Sequence, residues 1–261
     1  MLWEILKAGR TNKSSDLFTR LAARRVSVSK RGYIVLPHDI GTFNATAKGN
    51  NIIWEYNGER IQGNTCSFNI TNDYSTIRIA FDEALEKLEI KNNNALKADL
   101  SDLGGKITNY LNLYNCTKIT GDLADLGGKI ANTLNLYNCP KITGDLAALG
   151  GKITYLLSLY NCTNITGDLA DLGGKITYLL SLYNCANISG VYSGIAYPTT
   201  INLSYTGVSA EEMDQNLINL NENMNKKGTF TANGMSRTAA SDGAVAGLTA
   251  KGWTITGLTK V

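Results

Sequence analysis

Histidine, proline and long apolar runs are what this chain has least of. Among 261 residues there are 1 histidine and 3 prolines. The histidine, His38, sits beside Asp39 in a proline-containing turn with no Ser or Cys nucleophile motif near it. No phosphate loop, nucleotide fingerprint or metal-hydrolase motif occurs elsewhere. The chain is therefore not expected to be an enzyme, and no catalytic residue, cofactor or metal is expected. No apolar stretch reaches the ~18 residues that a membrane-crossing helix needs. The start, Met1 to Lys7, also lacks the apolar segment and small-residue cleavage site of a secretory leader. Of the 5 cysteines, Cys66 stands alone, and the rest are too far apart for the Cys-x-x-Cys pairs of a zinc site.

What the chain does have is repetition. Leu111-Asn112-Leu113-Tyr114-Asn115-Cys116 is followed by Ile119-Thr120-Gly121-Asp122-Leu123 and by Leu126-Gly127-Gly128-Lys129-Ile130. The same words return at Leu134 to Cys139, Leu157 to Cys162 and Leu180 to Cys185, each time after 23 residues. A more divergent copy, Leu85-x-x-Leu88-x-Ile90-x-x-Asn93-x-x-Leu96, precedes them by one period. A period of this length means stacked units, each burying its apolar face only against its neighbours. Within a copy, Leu111 and Leu113 alternate with Tyr110, Asn112 and Tyr114, so one side of a short strand enters the core and the other faces out. Gly127-Gly128 supplies the backbone angles that a sharp return needs.

The pattern L-x-x-L-x-L-x-x-N/C resembles the leucine-rich repeat, and the resemblance covers about half the chain. It implies an α/β solenoid: a curved sheet of short parallel strands, one per repeat, with the connecting segments on the convex side. It also implies that the Asn/Cys slot points inward to bond loop backbone. Adjacent strands about 4.8 Å apart leave disulfide pairing geometrically open. Stacked side chains point the same way, however, and Cys116, Cys139, Cys162 and Cys185 are expected to form a ladder of buried free thiols.

Four segments follow from the chain in order. Residues 1–32 form a basic attachment arm: residues 1–31 carry a charge of +6 and the remaining residues −3, within a total of +3. Ser15 or Asp16 can cap a short helix with Leu17, Phe18 and Leu21 on an apolar face and Arg20, Arg24 and Arg25 on or near the other. These residues, with Trp3, are the expected anchoring contacts to an acidic or apolar partner surface. Nucleic acid is not the expected partner, because no nucleic-acid-binding fold accompanies the charge. Residues 33–82 read as a small all-β module of short runs separated by turns, Asn57-Gly58 the strongest of them. The module resembles immunoglobulin-like (PKD-type) domains and would cover the apolar end of the first repeat. Residues 83–208 are the repeats. Residues 209–261 read as a helix–strand cap continuing the stack. In it, the capping box Ser209-x-x-Glu212 opens a helix with Met213, Leu217, Leu220 and Met224 along one stripe, ending at Gly228.

If the leucines point inward, the outward rows are Tyr114, Tyr137, Tyr160 and Tyr183; Asn112, Asn135, Ser158 and Ser181; and Tyr110, Thr133, Leu156 and Leu179. Tyrosines, small amides and hydroxyls suit a face that binds sugar or protein. Stacked tyrosines also stabilise neighbouring strands without any ligand. The recurring Asp99, Asp122, Asp145 and Asp168 are expected to cap the short turns that follow them, rather than to hold calcium.

The near-identity of the central copies and the ending Gly252 to Thr256 resemble repeat proteins of gut Bacteroidota and of their crAss-like phages. That resemblance, with the basic arm and the start described above, implies a virion component: a head fibre, tail fibre or capsid decoration protein, most simply a homo-oligomer. It would be anchored by its N-terminus and would bind a host-surface glycan or protein. A bacterial cell-surface adhesin and an intracellular interaction scaffold are the alternatives.

Overall fold

The computed structural model describes residues 31–261. The anchoring contacts expected at Trp3, Leu17, Phe18, Arg20, Leu21, Arg24 and Arg25 therefore lie outside the described residues. The strands are β1 (Arg31–His38), β2 (Gly41–Tyr56), β3 (Glu59–Gln62), β4 (Thr65–Ile70), β5 (Ser75–Glu89), β6 (Ile107–Asn112), β7 (Thr133–Asn135), β8 (Thr143–Asp145), β9 (Leu156–Ser158), β10 (Asn164–Asp168), β11 (Leu179–Ser181), β12 (Ile188–Ser189), β13 (Thr200–Asn202), β14 (Thr229–Arg237) and β15 (Thr254–Lys260). The helices are α1 (Leu100–Leu103), α2 (Ala210–Asn223) and α3 (Asp242–Ala250).

A mostly parallel sheet with few helices results, and it is open rather than closed into a barrel. Its main path runs β15-β14-β13-β11-β9-β7-β6-β5-β2-β3, with β1 added to β5 and β4 to β2. From β5 to β15 every neighbouring pair is parallel. The register is that of the sequence copies: Leu111 lies beside Leu134, then Leu157, Leu180, Ile201 and Phe230. This arrangement is compatible with a solenoid of short parallel strands. On the opposite side, β8, β10 and β12 form a second, three-stranded parallel sheet.

The first three full copies bury the same set of apolar residues. In the second full copy these are Leu134, Leu136, Cys139, Ile142, Leu146, Leu149 and Ile153, all at most 3% exposed. Between Ile142 and Ile153 the chain makes a 3-10 turn, Leu146–Leu149, with Asp145 as its N-cap accepting from the Ala147 amide. Asp99, Asp122 and Asp168 cap α1 and the equivalent turns in the same way. The outer carboxylate oxygens of Asp99, Asp122 and Asp145 accept from Thr120, Thr143 and Thr166 of the next copy, at 2.7, 3.3 and 2.9 Å. One aspartate thus ends one turn and ties it to its neighbour.

The last Gly-Gly pair, Gly173-Gly174, lies against the segment that follows it. Gly174 has φ +54, and a Cβ there would stand 2.1 Å from the Ser193 carbonyl oxygen. Only a glycine fits both the angle and the space.

At the N-terminal end β2, β5 and β1 pair antiparallel. Where short runs were expected, β2 is one strand over Gly41–Tyr56, and its pairing with β5 shifts register between Lys48 and Ile53. β5 runs on past position 82, so the all-β segment and the first repeat share a sheet. Leu85, Leu88 and Leu96 of the first copy are consequently fully buried. At the other end α2 has the expected Ser209/Glu212 capping box. It stops at Asn223 rather than at Gly228, with Met224 as its C-cap. Met213, Leu217, Leu220 and Met224 are buried. A single contiguous core runs from Ile34 to Trp253.

Candidate binding face

The outward side of the sheet is built from residues two apart on each strand, stacked by the parallel register. Tyr114, Tyr137, Tyr160 and Tyr183 follow the strand ends. Their rings stack face to face with centroids 4.6, 4.3 and 4.2 Å apart and planes within 19° of parallel. The stack ends at Tyr205, which meets Tyr183 edge-on at 5.3 Å. Burial first, and then the neighbouring phenols Tyr137 and Tyr183, push the Tyr160 hydroxyl up to about 12.

The tyrosines are held by a device that strand periodicity does not reveal. Each is followed by an asparagine in the left-handed region: Asn115, Asn138, Asn161 and Asn184 have φ between 56° and 59°. Their side-chain amides form a ladder. Asn115 donates to Asn92 at 3.2 Å, Asn138 to Asn115 at 2.6 Å, Asn161 to Asn138 at 3.5 Å and Asn184 to Asn161 at 3.1 Å. The unvarying Tyr-Asn-Cys triplet is the signal from which this ladder could have been read.

Behind the asparagines lie the cysteines, all free and buried. Cys116, Cys139, Cys162 and Cys185 donate their Sγ hydrogens to the carbonyls of Ile90, Leu113, Leu136 and Leu159 of the preceding copy, at 3.4, 3.1, 3.1 and 3.0 Å. Burial pushes the Cys116 thiol up to about 11 and those of Cys162 and Cys185 up to about 12; Cys139 moves the same way. In the first copy Asn93 fills this slot. Its Oδ1 accepts from the Ala95 and Leu96 amides, so His38 Nε2 donates to the same oxygen at 3.0 Å. His38 is fully buried, with its ring edge-on to Phe43 at 5.6 Å.

The remaining face residues fall into two groups. Asn112, Ser158 and Ser181 are buried, and Asn135 is half-buried. Asn112 and Asn135 use Oδ1 to accept the Tyr114 and Tyr137 amides, both at 3.0 Å. This row forms the floor between the tyrosines and the strand starts. Tyr110 is half-buried beneath Lys87, whose Nζ stands 4.7 Å from the ring centroid. Lys87 and Lys91 both bridge to Glu89, at 2.9 and 2.6 Å. Burial raises the Glu89 carboxyl, but the bonds from Lys91 and Lys87 outweigh it and hold the group below its usual range.

Tyr155 and Tyr178, absent from the three expected rows, are the most exposed rings of the central copies, at 44% and 45%. They stand just before β9 and β11 and stack on each other at 4.9 Å, 13° from parallel. They form a second, two-ring column just ahead of the strands.

Among the described residues, no group of three or more His, Cys, Asp or Glu is placed to hold a metal ion. No helix among them is long and apolar enough to cross a membrane. No protein-family profile, curated protein or solved structure matches the chain.

Proposed function

We propose that the chain is a leucine-rich repeat solenoid that works as a non-enzymatic phage virion component: a head fibre, tail fibre or decoration protein. In this reading residues 1–32 anchor it to a capsid or tail protein. The all-β segment is an immunoglobulin-like (PKD-type) cap, and the sheet face binds a host-surface glycan or protein. The observation that carries the binding role is the tyrosine column. Four rings recur at one position of successive copies, 4.2–4.6 Å apart, and are immobilised by their neighbours, so a ligand meets a large surface that loses little entropy on contact. The anchoring role rests on charge, +6 in residues 1–31 against −3 in the rest. Individually weak contacts become effective when many copies share one particle.

The test is co-sedimentation with intact particles, using the full chain and a chain lacking residues 1–30. Association of the full chain alone is expected. Equal behaviour of the two forms would contradict the anchoring role, and attachment to a bacterial envelope in place of particles would favour a surface adhesin.

A further inference from the structure

The most exposed aromatic ring among the described residues is not on the repeats but at the head of β5. Tyr74 is 83% exposed and has φ 60°, in the left-handed region. A bulky side chain is strained there, whereas glycine is not. The ring is nonetheless held in place. Lys97 Nζ stands 4.7 Å from its centroid, and Lys97 is itself fixed by Asp39 at 2.6 Å.

The fold sets this ring between two neighbours. β5 has β1 on one side and β2 on the other. Lys97 comes from the β1 side, where its amide donates to the Pro37 carbonyl at 2.9 Å. At the end of β2 a cavity of about 240 Å³ opens, lined by Tyr56, Asn57, Asn72, Tyr74, Ser75 and Thr76. One face of the Tyr74 ring therefore meets the lysine, and the other is open toward the cavity. The loop that carries Tyr74 is tied down here. The Tyr56 hydroxyl accepts the Thr71 amide at 3.4 Å, and Ser75 Oγ donates to the Asn72 carbonyl at 2.7 Å.

No lining residue is ionised, and the charged neighbours are engaged elsewhere. The Asp73 carboxylate accepts the Ile40 amide at 3.1 Å, and Lys97 bridges Asp39. A charged ligand thus finds no counter-charge in the cavity. Its volume lies below the ~300 Å³ at which sites for drug-sized ligands begin, so it has room for one sugar unit rather than a chain.

From this we infer a monosaccharide-binding site at the rim of the all-β segment. The C–H face of a pyranose lies on the open face of Tyr74, and its hydroxyls meet the Asn57 and Asn72 amides and the Thr76 hydroxyl. An open, immobilised aromatic face with uncharged hydrogen-bonding groups beside it is what a pyranose requires: an apolar face to cover and hydroxyls to orient. The site gives this segment a role beyond covering the first repeat, and it is separate from the tyrosine column.

The experiment is saturation-transfer NMR on the full chain, with the methyl glycosides of glucose, galactose, mannose and N-acetylglucosamine at millimolar concentration. Transfer to the ring C–H protons of at least one glycoside is expected. Tyr74→Gly removes the ring and relieves the left-handed strain. Affinity should fall at least about fivefold while the unfolding temperature does not fall, so that loss of binding is not loss of fold. Tyr74→Phe should keep the affinity. Asn57 has φ 45°, so Asn57→Gly keeps the turn, removes the amide and should lower affinity about threefold. Tyr178→Ala, on the repeats, should change nothing. Absence of transfer from all four glycosides would overturn the site, as would an affinity indifferent to Tyr74→Gly or one lost in Tyr178→Ala instead.

Discussion

Cys162 shows how one side chain serves two neighbours in this stack: it fills core volume in its own copy and donates to the Leu136 carbonyl of the copy before. Replacing it with Ala removes both contributions. A loss of about 1–3 kcal/mol is expected, measured by urea unfolding, from the lost bond and the space left behind. The thiols also make stability depend on pH. Their folded values, about 11 for Cys116 and about 12 for Cys162 and Cys185, lie above the ordinary thiol value of about 8.5. The unfolded chain therefore releases these protons first as pH rises. The stability is whole below the ordinary value and is lost progressively as pH climbs toward the folded values. The urea midpoint should fall between about pH 8 and about pH 10, and the fall should be shallower once the four ladder cysteines are replaced by Ala. The Tyr160 ring separates packing from hydroxyl chemistry. Tyr160→Phe should keep stability within about 0.5 kcal/mol, whereas Tyr160→Leu, which breaks the stack, should cost about 1 kcal/mol or more. The inward leucines and cysteines were legible in the sequence because burial repeats at fixed positions. The asparagine ladder was not, because its cause is a left-handed backbone angle that strand alternation does not encode.

At the scale of the element, the return turns are decided by close approach. Gly127 opens its Gly-Gly pair and Gly174 closes its own; both have positive φ, yet a Cβ on Gly127 meets nothing within 4 Å while one on Gly174 would collide with Ser193 and Gly194. Gly127→Ala should therefore cost only the left-handed penalty of about 1–2 kcal/mol. Gly174→Ala should cost clearly more, and thermal unfolding of the pair measures the difference. The aspartate caps were readable, since Asp followed by a short apolar turn is a local signal. The exposed Tyr155 and Tyr178 were missed because alternation was counted outward from Leu157 and Leu180. That count assigned the outer face to Leu156 and Leu179 and gave no weight to residues just ahead of the strand. The end of α2 was set too late for a similar reason: Gly228 is the nearest glycine, but Met224 already leaves the helix with extended angles.

For the whole molecule, the joining of the N-terminal strands to the repeats matters most. Position 82/83 reads as a boundary because the short β runs end there and the first repeat copy begins at Leu85. Glu83 does adopt φ 65°, but it does so inside β5, and the sheet continues through it. The body is therefore continuous from β3 to β15. The most direct measurement is cross-linking mass spectrometry, through lysines, on intact phage particles of the kind proposed to carry the chain. Cross-links from Lys7, Lys13 or Lys30 to a capsid or tail protein, with none from Lys129, Lys152 or Lys175, are the result this account predicts. Absence of the chain from the particles, or cross-links to the particle through the repeat lysines alone, would contradict it.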